Sequence, residues 1–380
     1  MKKKTVVVIT GTRADYGLLR PVMQQIRKSA KLKLEVVVTG MHTLAAHGST
    51  LKEVRADGMP IVAVVPLTTR DTMLTALSKE IQGIAAYCAR KRPDLMVVLG
   101  DRDECFAGAI VGGHLGIPVA HIHGGDKTGS VVDEYIRHAT TKFSHLHFAA
   151  SAKSARRIKL LGEESWRVHM TGGPGLDELR TLKTPSVQTL AKRYGLSSSE
   201  PWHVILHHPA SLDPVSYKNQ AAGVFSASAK LSGEKIVLIP NSDTGSKEFL
   251  AEITRYKKTP GFHIFRHIPR ADLIGILKHA RLLIGNSSMG IIDASYLHVP
   301  TVNVGSRQEG RERGSNVLDC GYGEKEIIAA LRKAQSSMFR TKVARGTSPY
   351  GDGRAAERIV RAIEKHIGRA DLFRKKLTYV

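Results

Sequence analysis

The sequence contains little cysteine and no long apolar run. Its 380 residues include 3 cysteines, which are widely separated as Cys88, Cys105 and Cys320. So sparse a set excludes a disulfide framework and a cysteine-based zinc cluster, and it favours a reducing compartment such as the cytoplasm. The apolar run behind the basic N-terminus covers only Val6–Ile9, too short for a signal peptide. Because a membrane helix needs about 20 apolar residues, the sequence predicts no membrane segment.

Aromatic residues are also scarce, at 6% of the chain, whereas basic residues are in excess and give a formal net charge of +23. A charge of this size makes nucleic-acid binding a hypothesis to consider. The lysines and arginines are spread along the chain, however, and so few aromatic residues do not form a base-stacking platform. We therefore expect a basic surface around a site for an anionic small molecule, with neither a nucleic acid nor a membrane as partner.

Short β-branched runs alternate with helical patterns through the first half of the chain. The run Lys4–Thr10 is typical of a strand covered on both faces, and so are Asp94–Leu99 and Val119–His121. Further strands are predicted at 34–39, 61–65 and 146–149. Helices are predicted between them, one beginning near Thr43 and one capped by Asp71. This alternation predicts a parallel α/β sheet.

A change of domain is predicted near residue 172. The segment Thr171–Glu200 is rich in glycine, proline and serine, as connections between domains are. After it the alternation restarts, with strands predicted at 204–206, 235–239, 263–265, 282–284 and 301–304 and a last helix at about 354–367. We therefore expect two similar α/β domains whose strand tips face a shared cleft, where ligands of such sheets bind.

The stretch Leu99–His147 concentrates acids and histidines where predicted strands end. Asp101 follows the fourth strand, Asp126 follows the fifth, and Asp133 comes next, so that all three are expected at consecutive strand tips. Each acid alone fits a helix cap or a loop as well as a site. Three acids gathered in one site can have their pKa values pushed apart, so that one serves as an acid and another as a base.

Two histidine pairs raise the question of a metal. His121 and His123 alternate and would share one face of a strand, whereas His207 and His208 are adjacent and point to opposite faces. Without a third ligand, hydrogen bonding is the better interpretation, and we predict no metal and no cofactor. Of His207 and His208, one is expected to face the cleft and the other to pack away from it.

Two glycine-bounded loops suit an anion. The loop after the first strand carries Arg13 and opens a helix, and a Gly-Asn-Ser-Ser-Met-Gly segment carries Ser287 and Ser288. A plain helix cap is the alternative for the serines, and their position between glycines favours a phosphate. Asp293 fits either a ribose or the first turn of a helix, and Arg307 follows a strand, where a phosphate is within its reach.

Taken in order, these segments resemble the UDP-N-acetylglucosamine 2-epimerases, most closely their hydrolysing branch in the synthesis of sialic, legionaminic and related nonulosonic acids. The matching motifs are GTRADYG (11–17), GDR (100–102), HIHGGD (121–126), DEYIRH (133–138), TK (141–142), HP (208–209), NSDTGSK (241–247), GNSS (285–288) and YGDG (350–353). The resemblance implies a glycosyltransferase-B-like fold with two Rossmann-like domains around an interdomain cleft. Residues 1–172 would handle the sugar, residues 173–352 would hold UDP, and residues 353–380 would form a helix that crosses back.

The resemblance also implies roles for single residues. Asp101 and Asp133 match catalytic acids, and His208 matches a histidine that contacts the leaving phosphates. Many relatives carry Glu where this chain has His123, so the C2 proton is assigned to His123, to Asp126, or to Asp101 and Asp133 alone. Contacts with UDP or the sugar are expected from Arg13, Arg102, Glu134, Arg137, His267, Asn286, Ser287, Ser288, Gly290, Asp293 and Arg307.

The implied reaction has two steps and needs no cofactor. A base removes the proton at sugar C2 while UDP leaves from C1, and water then adds to the 2-acetamidoglucal to give a free 2-epimeric sugar. The substrate is UDP-N-acetylglucosamine or, as the His-x-His variant suggests, UDP-2,4-diacetamido-2,4,6-trideoxy-glucose. A non-hydrolysing epimerase, a glycosyltransferase of the same fold and a nucleic-acid-binding protein are the alternatives. A homo-oligomer, dimer or tetramer, is expected.

Overall fold

The computed structural model of the chain describes residues 2–44, 50–127, 131–211, 213–240 and 245–379. It divides into two compact units, here called unit 1 (residues 1–178 with 350–380) and unit 2 (residues 179–349). The sequence predicts boundaries at 172 and 352, and the contacts divide the chain at 178 and 349. Most of the NSDTGSK motif lies outside the described residues. Within the described ranges, none of the helices combines the length and the apolar character that crossing a membrane requires.

The strands and helices alternate along most of the chain. The strands are β1 Lys4–Thr10, β2 Leu32–Val38, β3 Ile61–Val64, β4 Leu95–Leu99, β5 Val119–Ile122, β6 Leu146–Ala149, β7 Val168–Met170, β8 Trp202–Leu206, β9 Glu234–Leu238, β10 Phe262–Phe265, β11 Ala280–Gly285, β12 Thr301–Val304 and β13 Val317–Cys320. The helices are α1 Arg13–Lys28, α2 Leu51–Ala56, α3 Met73–Lys91, α4 Asp103–Leu115, α5 Val131–Phe143, α6 Ala152–Leu160, α7 Gly175–Thr181, α8 Val187–Tyr194, α9 Tyr217–Ala229, α10 Ser246–Arg255, α11 Arg270–His279, α12 Ser288–Ile291, α13 Asp293–Tyr296, α14 Glu324–Gln335, α15 Ser337–Arg345 and α16 Ala355–His366.

Unit 1 is built on a parallel sheet of seven described strands in the order β3-β2-β1-β4-β5-β6-β7. Its central strand β1 is apolar on both faces because helices cover both. Val6 and Val8 pack with α1 and α16, whereas Val7 and Ile9 pack with α3 and α4 on the opposite face. This sandwich places the loops after β1, β4 and β5 side by side at one edge of the sheet, where ligands of open parallel sheets bind.

Unit 2 repeats the arrangement with six described strands in the order β10-β9-β8-β11-β12-β13, all paired in parallel. Its central strand β8 is buried throughout. Ile205 packs with α9 and α14 on one face, and Val204 packs with α8 and α11 on the other. Both sheets have the strand order of Rossmann-like folds, with the crossover between the two halves beside the central strand. The predicted class, two Rossmann-like α/β domains, is confirmed.

The sequence missed two edge strands and misplaced two local features. Strands β7 and β13 are short and only half-buried, so they lack the continuous apolar run on which the prediction relied. The cap of α3 is Thr72, whose hydroxyl accepts from the Thr75 amide, and not Asp71. A helix was expected to begin near Thr43. The structure instead has a single 3-10 turn at Gly40–Thr43, and the next described helix is α2.

Candidate functional site

A buried arginine organises the loops at the tip of unit 1. The side chain of Arg137, on the inner face of α5, is 1% exposed. One of its terminal nitrogens donates to Asp101 Oδ2, and the other donates to Glu134 Oε1 at 2.6 Å and to the Asp126 carbonyl oxygen at 3.0 Å. Burial acts to lower the pKa of Arg137, and its two carboxylate partners raise it by more, so the guanidinium stays charged.

Asp126 and His123 form a carboxylate–imidazole pair in the loop after β5. Asp126 Oδ2 lies 2.8 Å from His123 Nδ1, and Asp126 Oδ1 accepts from the Ser154 hydroxyl at 2.7 Å. A carboxylate only accepts hydrogen bonds, so Nδ1 carries the shared proton and Nε2 is the ring nitrogen that can present a lone pair. Nε2 is buried and has no hydrogen-bond partner among the described residues. The pair therefore has the arrangement of a base held by an acid.

The backbone of this loop is held in an uncommon conformation. His123 has φ = +65°, in the left-handed region that favours glycine, and its amide is held by the Phe148 carbonyl at 3.1 Å. Gly125 has φ = +73°, and a Cβ at that position would overlap the Ser154 carbonyl oxygen. A strained side-chain-bearing residue persists only where its surroundings fix it, and such residues cluster at functional sites.

His121 does not share a site with His123. It is fully buried in β5, where its Nε2 donates to the Gly100 carbonyl at 2.8 Å and its Nδ1 lies 3.2 Å from the Thr141 hydroxyl. Burial lowers the pKa of His121 to about 3, so the ring is neutral and serves as a strut between β4, β5 and α5. The two rings thus do not line one face of a strand as the alternation predicts. No group of metal-ligating side chains occurs among the described residues.

Asp133 is placed differently from the prediction of three acids at consecutive strand tips. Asp101 follows β4 and Asp126 follows β5, but Asp133 lies in the first turn of α5, one helical turn before Arg137. Its carboxylate is half-buried and acts on Asp103, at the start of α4, where it adds to burial in raising the pKa of Asp103. Two of the three acids therefore lie in loops, and the third lies on helix α5.

The two predicted arginines nearest β1 and β4 have acidic neighbours. Arg13 opens α1, is 68% exposed and has its Nε 3.3 Å from Glu53 Oε2. Arg102 precedes α4, is 45% exposed and donates from Nε to Glu104 Oε1 at 3.0 Å. Both guanidiniums are accessible at the edge of the sheet, as residues that contact a ligand must be.

In unit 2, Asn286 joins the two central loops. Its side chain is fully buried and clamps the backbone of His208 through two hydrogen bonds, with Oδ1 accepting from the amide at 2.7 Å and Nδ2 donating to the carbonyl at 2.8 Å. The Asn286 carbonyl accepts from Arg307 at 3.2 Å and from Gln308 at 2.9 Å. Asn286 thus positions the loops after β8, β11 and β12, and its side chain is committed to the protein.

The two serines of the same segment differ in role. Ser287 caps the one-turn helix α12, because its hydroxyl accepts from the Met289 amide at 3.3 Å. The alternative of a helix cap therefore holds for Ser287, and Ser288 is the first residue of the helix. Gly290 is buried where a Cβ would lie 2.7 Å from a methyl carbon of Thr301, so it serves close packing.

The remaining predicted residues of unit 2 lie on neighbouring loops. Asp293 stands in the first turn of α13, with Oδ1 2.9 Å from an Arg270 nitrogen. His267 is exposed after β10. His207 is 2% exposed and donates to the Gln220 carbonyl at 3.0 Å, and burial lowers its pKa to about 3. The prediction that one of the paired histidines packs away holds for His207.

The family of the chain follows from comparison with known proteins. The sequence profile of the family described as UDP-N-acetylglucosamine 2-epimerase matches residues 24–364. The chain belongs to this family. A Legionella pneumophila protein named UDP-N,N'-diacetylbacillosamine 2-epimerase (hydrolyzing) is 36% identical over 95% of this chain and 96% of its own length. An Escherichia coli protein named polysialic acid biosynthesis protein P7 is 32% identical over 96% of this chain and 94% of its own.

Solved structures agree on the fold of the 2-epimerase family. The crystal structure of the UDP-GlcNAc 2-epimerase from Neisseria meningitidis bound to UDP-GlcNAc superposes with a TM-score of 0.81, at 18% identity, over 95% of this chain and 100% of that one. At this identity the likeness concerns the fold alone. The resemblance to the 2-epimerases and the glycosyltransferase-B-like class expected from the sequence are thus confirmed.

The sequence alone did not indicate some residues of this candidate site. Ser154, in α6, supplies the second hydrogen bond to Asp126, and Glu104 holds Arg102. Ser154 lies 28 positions from its partner, and no motif links two such distant residues. Glu104 belongs to the acidic Asp-Arg-Asp-Glu segment and lies in the first turn of α4, where it is buried. The helical spacing of the buried residues of α4 could have indicated this burial from the sequence.

Proposed function

We propose that the protein is a hydrolysing UDP-sugar 2-epimerase, which converts a UDP-2-acetamido sugar to UDP and the free 2-epimeric sugar. The observation that carries the proposal is the loop network of unit 1, where Arg137 joins Asp101, Glu134 and the backbone of the Asp126–His123 pair. The name of the Legionella relative, which matches over 95% of this chain, supports the same class of reaction. The name of the Escherichia relative, which matches over 96% of this chain, supports a place in the biosynthesis of an acidic sugar polymer.

Inversion at a carbon through loss and return of a proton requires groups on opposite faces of the sugar. We assign one transfer to His123, whose Nε2 presents a lone pair while Asp126 holds Nδ1. We assign the other to Asp101, which Arg137 holds in place. Asp133, on the same helix as Arg137, is proposed to complete the acidic side of the site. No metal or cofactor is required by these proton transfers.

The UDP moiety is assigned to unit 2. The loops that Asn286 joins carry the half-buried side chains of His208, Ser288 and Arg307. An imidazole, a hydroxyl and a guanidinium suit a leaving diphosphate that gains negative charge. Asp293 is proposed to accept from the ribose hydroxyls after exchange with Arg270. Arg13 and Arg102 of unit 1 are proposed to contact the UDP-sugar.

The substrate is proposed to be UDP-2,4-diacetamido-2,4,6-trideoxy-glucose, with UDP-N-acetylglucosamine as the competitor. The first follows the name of the Legionella relative, at 36% identity over 95% of this chain. A Neisseria meningitidis relative named UDP-N-acetylglucosamine 2-epimerase, at 35% identity over 88% of this chain, favours the second. We further propose a cytoplasmic homo-oligomer that serves nonulosonic acid synthesis.

The test is an NMR time course of the purified protein with each UDP-sugar in D2O. The proposal expects UDP and a free 2-epimeric sugar that carries deuterium at C2, formed without any acceptor and unaffected by a chelator. A UDP-linked 2-epimer would instead identify a non-hydrolysing epimerase. Inertness toward both sugars, with UDP still bound, would favour a glycosyltransferase and contradict the proposal. The UDP-sugar from which UDP is released faster shows which substituent at C4 the enzyme prefers.

A further inference from the structure

A carboxylate that the proposed reaction does not use connects two loops of unit 1. Glu104 is 5% exposed, and its Oε1 accepts from Arg102 Nε at 3.0 Å. Its carboxyl group also lies against the loop after β1, so closely that a Cβ on Gly11 would overlap it. Glu104 therefore fills the space between Arg102 and the loop that carries Arg13.

A second buried carboxyl group lies behind the same loops. Glu80, on α3, is 1% exposed and accepts from the Thr39 hydroxyl at 3.1 Å, while its Oε2 has no partner among the described residues. Gly40, next to Thr39, approaches Gly11 so closely that a Cβ on Gly40 would lie 2.6 Å from the Gly11 carbonyl oxygen. The chain of contacts thus runs from Glu80 through the two loops to Glu104.

The two carboxyl groups repel one another across this contact. Burial raises the pKa of Glu80 to about 8, and the charge of Glu104 adds to the effect. Burial raises the pKa of Glu104 to about 7 against the opposing effect of Arg102, with Asp15 of α1 raising it further. Near neutral pH, Glu80 is therefore largely protonated, and Glu104 gains its charge.

The other charges around this pair come from the neighbouring elements. Asp103, at the start of α4, acts on Glu80 and itself faces Arg102 and Asp133 of α5. On the side of α1, Asp15 accepts from the Gly11 and Thr12 amides and faces His42, whose pKa is lowered by burial. These groups keep one sign of charge around Glu104, with Arg102 as the cation in direct contact.

We infer that Glu104 is a positioning residue, whose carboxylate fixes the orientation of the Arg102 guanidinium for contact with the substrate, with the buried Glu80 side chain behind it. The inference rests on the proposed function, in which Arg102 contacts the UDP-sugar. When Glu104 takes up a proton below neutral pH, Arg102 loses its charged partner and its fixed orientation. Substrate binding then weakens.

The test is a double-mutant cycle of the wild type, Glu104→Gln, Arg102→Gln and the double variant. KM and kcat of each protein are measured from pH 5.5 to 9. We expect Glu104→Gln to raise KM about tenfold at pH 8, since charged hydrogen bonds are the strong ones, and to change kcat little. It should also abolish the rise of KM toward acid. Arg102→Gln should do the same, and the double variant should be no worse than either. Glu80→Gln, an uncharged match for protonated Glu80, is the control and should keep the acid-dependent rise of KM.

A readout independent of turnover separates this inference from the proposed function. The Arg102 Nε–H signal in ¹⁵N NMR should titrate with Glu104 in the wild type and in Glu80→Gln, and it should be flat in Glu104→Gln. Titration of this signal in a protein inert to UDP-sugars would refute the function and leave the contact intact. The positioning role would be overturned if the active wild type showed an Arg102 signal that does not change with pH. It would also be overturned if the KM increases of the two single variants multiplied in the double variant. Since Arg102 is exposed, its variant also serves if Glu104→Gln does not fold.

Discussion

Unit 1 and unit 2 share a strand order, yet the loops at equivalent strand ends carry different chemistry. After β4 and β5, unit 1 presents a carboxylate bound by Arg137 and an imidazole bound by the Asp126 carboxylate. After β8 and β11, unit 2 presents a buried amide, hydroxyls and backbone groups held by Asn286. The groups that we propose to move protons thus lie on one unit, and most of those that we propose to hold the diphosphate lie on the other. The strand order therefore fixes where the loops lie, and the residues of the loops decide the chemistry.

The largest effect is expected from Asp101→Asn. The amide cannot exchange a proton at C2, and it loses the charge that pairs with Arg137, so kcat should fall by about 10³- to 10⁴-fold, the upper range for a proton-transfer group. The measurement is release of UDP under saturating substrate. Asp71→Asn, which removes a carboxylate that is paired with Lys79 and has no assigned role in the reaction, is the control. Near-wild-type turnover in Asp101→Asn would remove Asp101 from the chemistry.

The next effect is expected from His123→Asn, which tests the imidazole without straining the chain. Asparagine accepts positive φ values, so the loop should keep its conformation while the base is lost. We expect kcat to fall about 10²- to 10³-fold and the deuterium incorporation at C2 to slow in parallel. The exposed His114 on α4 offers a matched control, His114→Asn. If turnover is retained, the proton passes through Asp126 or the other acids instead.

A third variant, Asn286→Ala in unit 2, should weaken UDP binding and lower stability, whereas the two variants of unit 1 should lower kcat. It leaves the His208 amide and carbonyl without their partners, so we expect the UDP dissociation constant to rise and the free energy of unfolding to fall by about 2 kcal/mol. Equilibrium denaturation and calorimetric UDP titration measure the two quantities, with exposed Asn219→Ala as control. A loss of kcat with normal UDP affinity would contradict the assignment of nucleotide binding to unit 2 and of proton transfer to unit 1.

The smallest effect on activity is expected where unit 1 anchors its C-terminal segment. Glu163 is 1% exposed and is bound by His147, Lys142 and Lys375. Although burial opposes the shift, these partners lower the pKa of Glu163 from 4.5 to about 2. The native state therefore favours the ionised form, and the resulting stability, present above pH 4.5, is lost as pH falls from there through about 2.

Glu163→Gln should remove this acid-dependent loss of stability, lower the melting temperature at pH 7 and leave kcat unchanged. Thermal unfolding at several pH values measures the effect, and Glu248→Gln, on the exposed face of α10, is the control. An identical acid profile in both proteins would show that the Glu163 network does not contribute the expected stability. A fall in kcat would show that unit 1 couples its C-terminal anchor to the loops.

The fold was predictable where apolar patterns are continuous. Buried strands such as β1 and β4 read as apolar on both faces because helices cover both faces, and β6 and β12 were placed at their observed bounds. The edge strands β7 and β13 were missed because one side of each meets solvent. The cap of α3 was misplaced by one residue, since Asp71 and Thr72 are both good capping residues. The Asp71 carboxylate instead accepts from the Thr68 amide and from Lys79.

Within the site, the sequence indicated which residue types gather, but not how they pair. Asp126 and His123 are three positions apart, and a turn with positive φ brings them within 2.8 Å, which no periodicity expresses. Asn286 was expected to contact UDP, whereas its amide is used to hold His208. Partners such as Ser154 come from distant elements, so only the folded sheet brings them into contact with the loop.

The most direct test of the division between the units is the dissociation constant of UDP for Asp101→Asn, measured by isothermal titration calorimetry against the wild type. If unit 1 supplies the proton transfers and unit 2 holds the nucleotide, the inactive variant should bind UDP within about twofold of the wild type, since a difference of that size is under 0.5 kcal/mol. A UDP affinity that falls together with turnover would contradict the division and assign Asp101 to the binding of the nucleotide.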